Sequence, residues 1–167
     1  MRELEIYIEE HQDSFYRLAY TYVKDRDAAL DVVQNAIVQA LTHIHTLKDA
    51  AHLQTWFYRI LVNEGLTYLR KNKRYLPLEE LPEDFADDGD IAGRLDIYSA
   101  VGRLKPRLRT VVALRYFEDM SLQDIARITG TNLNTVKTRL YKALKELRLD
   151  MTEEAVAEKG ESPTWNS

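Results

Sequence analysis

Apolar residues recur at spacings of three and four along almost the whole chain, and no segment shows the strict alternation of a half-buried strand. That periodicity restricts the fold to packed helices. Phe15, Leu18, Ala19 and Tyr22 predict a first helix over about 3–24. Leu30, Val33, Ile37, Ala40 and Leu41 predict a second over about 27–45, with Asp27 as its N-cap. Trp56, Ile60, Asn63 and Leu66 fall near one face of a third, over about 54–74. It ends in "YLRKNKR", whose cations suit the negative end of a helix.

The periodicity stops at residues 76–98, "LPLEELPEDFADDGDIAGRLDIY", which hold eight acids, one Arg, Pro77, Pro82 and Gly89. Proline and like-charge repulsion both oppose a helix there, so the segment reads as an extended acidic linker. The fold class expected is therefore all-α, with two small helical domains at 1–75 and 99–149, each with a lean core. Residues 150–167 read as a disordered tail, with Trp165 in solvent.

The net charge of -4 conceals a segregation. Residues 1–75 balance ten basic against ten acidic side chains, whereas residues 99–149 hold eleven basic and four acidic ones. A basic block of that density is the footprint of a polyanion partner. The chain has no cysteine, which removes disulfides and thiolate metal sites. Its acidic start lacks the pattern of a signal peptide, and no apolar run approaches the roughly 20 residues of a membrane span. A cytoplasmic protein is expected.

Within the basic block, "MSLQDIARITGTNLNTVKTRLYKALKEL" reads as a helix-turn-helix. Ser121 and Asp124 resemble a capping box, and Leu122, Ile125 and Ala126 give a short helix its buried stripe. Gly130 stands where the chain must turn through a left-handed conformation. Asn132 caps a second helix whose inward face is Val136, Leu140, Ala143, Leu144 and Leu147. Asn134, Thr135, Lys137, Thr138, Arg139, Tyr141, Lys142 and Lys145 are left for the outer surface. Such residues suit base edges and phosphates in a major groove. Upstream, Leu104, Leu108, Val111, Val112, Leu114 and Tyr116 are expected in the core, with Pro106 in a first helical turn. Arg107, Arg109 and Arg115 are open to phosphates or a protein partner.

In the N-terminal half, "QTWFYRILVNEGLTYLRKNKR" interleaves aromatic and basic residues, the combination that single-stranded nucleic acid requires. Trp56, Ile60 and Leu66 also read as core by their helical spacing. Lys71, Lys73 and Arg74 are the better candidates for backbone contact.

The order "FYRLAYTYVKDRDAALDVVQNAIVQAL", "LQTWFYRILVNEGLTYLRKNKR", acidic linker and "LKPRLRTVVALRYFEDMSLQDIARITGTNLNTVKTRLYKALKELR" resembles the extracytoplasmic-function (ECF) sigma factors of bacterial RNA polymerase over about residues 5–149. The resemblance implies that 1–75 is sigma region 2 and 99–149 sigma region 4. It implies that Asp27, Asp31, Val33, Gln34 and Asn35 bind core RNA polymerase; the family commonly has acids where this chain has Leu30 and Asn35. It implies further that residues 48–55 capture an unstacked base of the promoter −10 element, beside Trp56, Asn63, Arg70, Lys71 and Arg74. The −35 element would be read in duplex form by Asn134, Thr135, Lys137, Thr138, Arg139, Tyr141 and Lys142. The acidic linker would thread polymerase channels as a mimic of a phosphate backbone, unless it is a plain spacer. The partners implied are core polymerase, promoter DNA and an anti-sigma factor, often membrane-anchored, for a chain that is itself monomeric and outside the bilayer. All catalysis, with its magnesium, would be the polymerase's; no cofactor or catalytic site is expected here.

Other readings are weaker. His43 and His45, two residues apart on a helix, point roughly 200° from one another and make a poor zinc pair. No Gly-rich phosphate loop or nucleophile elbow occurs. The rival reading is a helix-turn-helix regulator with an N-terminal effector or dimerisation domain, which binds palindromic half-sites as a dimer.

Overall fold

The computed structural model describes residues 2–72, Ile97 and residues 100–150, the side chains of Leu149 and Asp150 excepted. The acidic segment apart from Ile97, Lys73, Arg74, Tyr75 and the tail with Trp165 lie outside the described residues. The regular elements are helical throughout the described residues: α1 (Arg2–Glu10), α2 (Gln12–Val23), α3 (Arg26–Thr42), α4 (Leu53–Asn72), α5 (Pro106–Val112), α6 (Leu122–Thr129) and α7 (Leu133–Asp150).

The first expected helix is two. His11 leaves the helical region at φ -122° and ψ 21°; its N–H closes the last turn of α1 on the Tyr7 carbonyl (3.1 Å), and its Nδ1 lies 2.9 Å from the same oxygen. Its own carbonyl then accepts from Phe15 N–H (3.1 Å) and starts α2. The break lets Leu4 and Ile8 of α1 join the core made by α2 and α4.

The second helix is capped by Asp25 and not by Asp27: the Asp25 carboxylate accepts from Ala28 N–H at 2.9 Å. Its buried face is Ala28, Ala29, Val32, Val33, Ala36 and Ala40, while Leu30 and Leu41 stand exposed. Alanine supplies little apolar signal to a sequence pattern, yet its small size lets α3 approach α2 and α4 closely. On α4 the buried face is Phe57, Tyr58, Leu61, Val62 and Gly65. Trp56, Ile60 and Leu66 are only half-buried at its edges, and Asn63 is exposed. The centre of the core is aromatic, with the rings of Phe15 and Phe57 stacked at 4.4 Å and Tyr58 edge-on to Phe15 at 5.5 Å.

In the second half, Pro106 opens α5 as expected, and Leu104, Leu108, Val111, Val112 and Leu114 are buried. Tyr116 and Leu144 pack partly buried against that core. The helix then widens over Ala113–Phe117 into a π turn closed by Glu118 N–H to Ala113 O (3.1 Å). Asp119 follows at φ 57°, a left-handed conformation that Asp tolerates better than most residues. The two halves pack against each other and share one apolar core.

Candidate nucleic-acid and partner interfaces

The geometry of α6 and α7 rests on four local contacts. The Ser121 hydroxyl accepts from Asp124 N–H (3.1 Å) at the start of α6. The Asp124 carboxylate is engaged by Arg127 at 3.2 Å. Gly130 ends the helix at φ 71°, its N–H donating to Ala126 O at 2.9 Å. Asn132 Oδ1 accepts from Thr135 N–H (2.8 Å) and starts α7. Each side-chain cap of this kind is worth about 1 kcal/mol. Together they fix the angle between the helices, which decides what α7 can present. Ile125 and Ile128 are the buried residues of α6, with Leu122 and Ala126 half-buried. Val136, Leu140, Ala143 and Leu147 anchor α7.

On the outer side of α7, Asn134, Thr138, Tyr141, Lys142 and Lys145 are exposed, and Thr135, Lys137 and Arg139 are half-exposed. Tyr141, at 61% exposure, is a large ring left uncovered on a basic helix face. Partial desolvation and then the nearby Arg107 lower the pKa of the Arg139 guanidinium, so two cations converge at this edge.

On α4, Trp56, Arg59, Asn63 and Arg70 recur along one side of the helix, and Arg59, Asn63, Arg70 and Lys71 are exposed. Trp56 Nε1 donates to Thr46 Oγ1 (3.2 Å), tying α4 to the loop that precedes it. That loop runs through short 3-10 turns at Ile44–Thr46 and Ala50–His52, and Asp49 holds the second by accepting from Ala51 N–H at 3.0 Å. An open cleft of roughly 340 Å³ lies between His52, Thr55, Trp56 and Arg59 of this half and Arg127 of α6. The His43 and His45 rings lie 6.2 Å apart, and among the described residues no three metal-ligating side chains come together.

On α3, Asp27, Leu30, Asp31, Gln34, Asn35 and Val38 form the outward face, with Val38 at 58% exposure. Val33 does not belong to it, since it is buried in the core at 8% exposure. Arg109 also departs from expectation. Far from being open to phosphate, it is buried at 8% exposure and donates to the carbonyls of Leu104 (2.9 Å), Thr21 (3.1 Å) and Tyr22 (3.1 Å). Arg115 donates to Met120 O (2.9 Å), which leaves Arg107 as the exposed member of the three. No local signal marks Arg109 for burial, because two of the three carbonyls it caps, those of Thr21 and Tyr22, lie at the end of α2 in the other half.

Residues 7–75 match the family model for sigma-70 region 2, and residues 94–147 match that for sigma-70, region 4. Those two regions, in that order, define a sigma-type initiation factor. The chain is 43% identical over 149 residues to RNA polymerase sigma factor SigV of Bacillus subtilis (strain 168), which covers 88% of this chain and 90% of that protein. It is 33% identical over 152 residues to the RNA polymerase sigma-E factor of Streptomyces coelicolor, which covers 89% of this chain and 86% of that one. The chain belongs to the ECF sigma factors of bacterial RNA polymerase. Its fold is similar to that of the sigma factor RpoE from Bartonella quintana, solved in complex with the anti-sigma factor NepR. The TM-score is 0.72 at 22% identity, over 89% of this chain and 96% of that one. As a sigma factor, the chain directs core RNA polymerase to promoters and is not itself an enzyme. Among the described residues no helix is long and apolar enough to cross a membrane.

Proposed function

We propose that the protein divides promoter recognition between a region 2 unit at 1–75 and a region 4 unit at 99–149, joined by the acidic segment 76–98. The outward face of α7, with Asn134, Thr135, Lys137, Thr138, Arg139, Tyr141 and Lys142, reads the −35 element in the major groove. The observation that carries this reading is the pair of side-chain caps around a left-handed glycine, holding a basic helix face outward. Trp56, Asn63, Arg70 and Lys71, with Arg74 beyond the described residues, take the melted −10 strand. Aromatic and basic groups on one helix side suit bases and phosphates of a single strand. Asp27, Asp31, Gln34 and Asn35 on α3, joined by the exposed Leu30 and Val38, dock on core polymerase. Apolar side chains left in solvent beside acids are what a partner surface supplies a use for. The protein works in the cytoplasm, and an anti-sigma factor holds it inactive, as NepR partners the RpoE of similar fold.

The test is promoter binding and opening by reconstituted holoenzyme. Lys137→Ala is expected to weaken promoter binding and to reduce the salt slope by about one, with core affinity unchanged. Trp56→Ala is expected to slow opening of duplex promoter and to be rescued on a template already mismatched at the −10 element. An unchanged salt slope would contradict the phosphate role of Lys137, and failure of the mismatched template to rescue would contradict the melting role of Trp56.

A further inference from the structure

The cleft between the two halves gathers flat rings, cations and a hydroxyl in one small space. Its walls are His52, Thr55, Trp56 and Arg59 of the first half and Arg127 of α6, and no carboxylate is among these described residues. Two aspartates stand behind the walls: Asp49 lies 3.9 Å from His52 Nε2, and Asp124 binds Arg127 at 3.2 Å. Trp56 is half-buried, and its Nε1 bond to Thr46 (3.2 Å) fixes the indole. Thr55 Oγ1 donates to the His52 carbonyl (3.2 Å), which leaves the oxygen able to accept. Arg59 Nη1 donates to the Arg127 carbonyl (3.4 Å) and so reaches across to α6. Both arginines are exposed, Arg127 keeping 58% of its side chain in solvent. A guanidinium carries five N–H donors, and the contacts above engage one of each.

Two guanidiniums beside one cleft repel each other, and its lining offers no negative group to offset them. A phosphate between them would do so, because it accepts forked, charge-assisted hydrogen bonds from arginine. Trp56 adds a face on which a nucleobase stacks. Inorganic phosphate alone would leave the rings unused, and an uncharged aromatic compound would leave the cations unused. The volume of roughly 340 Å³ lies at the small end of ligand sites, which run from about 300 to 1,000 Å³. Such a cleft suits one base with its phosphates, whereas a strand would have to run out past the α6 wall.

We infer that this cleft binds a free nucleoside phosphate, with the base against Trp56 and the phosphates between Arg59 and Arg127. The same base-and-phosphate chemistry is carried by a nucleotide within a single strand lying along α4. The two sources differ in one residue: only the free nucleotide in the cleft uses Arg127 of the second half. The site therefore does not depend on the assignment of α4 to the −10 strand. Because its walls come from both halves, occupancy is linked to the contact between α4 and α6.

The chain has two tryptophans, so Trp165→Phe leaves Trp56 as its one indole. Titration of that full-length chain with adenosine diphosphate, and separately with guanosine diphosphate, is expected to quench Trp56 fluorescence to saturation. Calorimetry is expected to show adenosine and inorganic pyrophosphate, each lacking one part of the ligand, binding at least about tenfold more weakly. Arg59→Ala and Arg127→Ala are each expected to weaken binding of the two nucleotides by about tenfold, with Arg127→Lys recovering part of the loss. That recovery, with urea unfolding of the variants unchanged, separates loss of binding from loss of fold. Failure of both nucleotides to bind overturns the site. Binding that Arg59→Ala weakens and Arg127→Ala leaves unchanged also overturns it, and assigns the chemistry to a strand along α4. Pyrophosphate binding as tightly as the nucleotides overturns the role given to the base.

Discussion

Tyr22 and Arg109 take their surroundings from residues 87 and 88 positions away in sequence, and that is why their roles were not legible locally. Burial pushes the Tyr22 phenol up to about 12, against the opposing pull of its Thr110 hydrogen bond and the Arg109 charge. An unfolded tyrosine titrates near 10. Between those values the unfolded chain releases a proton that the native chain keeps, so stability falls as pH rises, by about 1.4 kcal/mol per pH unit for one such group. Burial raises the Tyr7 and Tyr58 phenols as well. Lys24 acts in the opposite sense at lower pH. Desolvation, with Arg109 and Arg103 nearby, holds its ammonium down to about 8 against an ordinary 10.5. Between these values the unfolded chain binds the extra proton, and stability rises with pH. Urea unfolding is therefore expected to show a stability maximum near pH 10, with a steep alkaline fall that Tyr22→Phe makes shallower. A steady fall from neutral pH upward would contradict this.

Among the elements, α6 and α7 were the most legible, because Ser121, Gly130 and Asn132 announce their caps within a few residues of the helices they bound. The packing faces of α3 and α4 were harder to read. On α3 both leucines, Leu30 and Leu41, face out, and four alanines share the packing with Val32 and Val33. On α4 the expected stripe was centred one residue early, because Trp56 and Ile60 are prominent but lie beside the true centre at Phe57, Tyr58 and Leu61. Gly65 marks that centre more sharply than any large residue. A β-carbon there would meet Cδ2 and Cε2 of Tyr22 at 2.5 and 2.8 Å. The ring is 2% exposed and held at its hydroxyl by Thr110, so it cannot swing aside. Gly65→Ala gains about 1 kcal/mol of helix propensity but overpacks the α2–α4 contact by typically 1–3 kcal/mol. A net loss of stability in urea unfolding is expected; an equal or greater stability would show that the contact yields.

For the whole molecule, the all-helical class and the order of the two sigma regions could be read from periodicity, charge segregation and motif order. The packing of one half on the other could not. It depends on Arg17 meeting Glu118 and on Arg109 meeting the end of α2, pairings that no local spacing encodes. The polymerase-facing role of α3 is the assignment on which the rest depends, since a sigma factor acts on DNA only through its polymerase. Asp31 lies exposed on that face, clear of the buried core on the opposite side of the helix. The most direct test is fluorescence anisotropy of the labelled full-length chain titrated with core RNA polymerase at physiological salt. Tight, saturable binding is expected, and Asp31→Arg should weaken it at least about tenfold by reversing a charge at the interface. Equal affinity of Asp31→Arg and the native chain would contradict docking through α3.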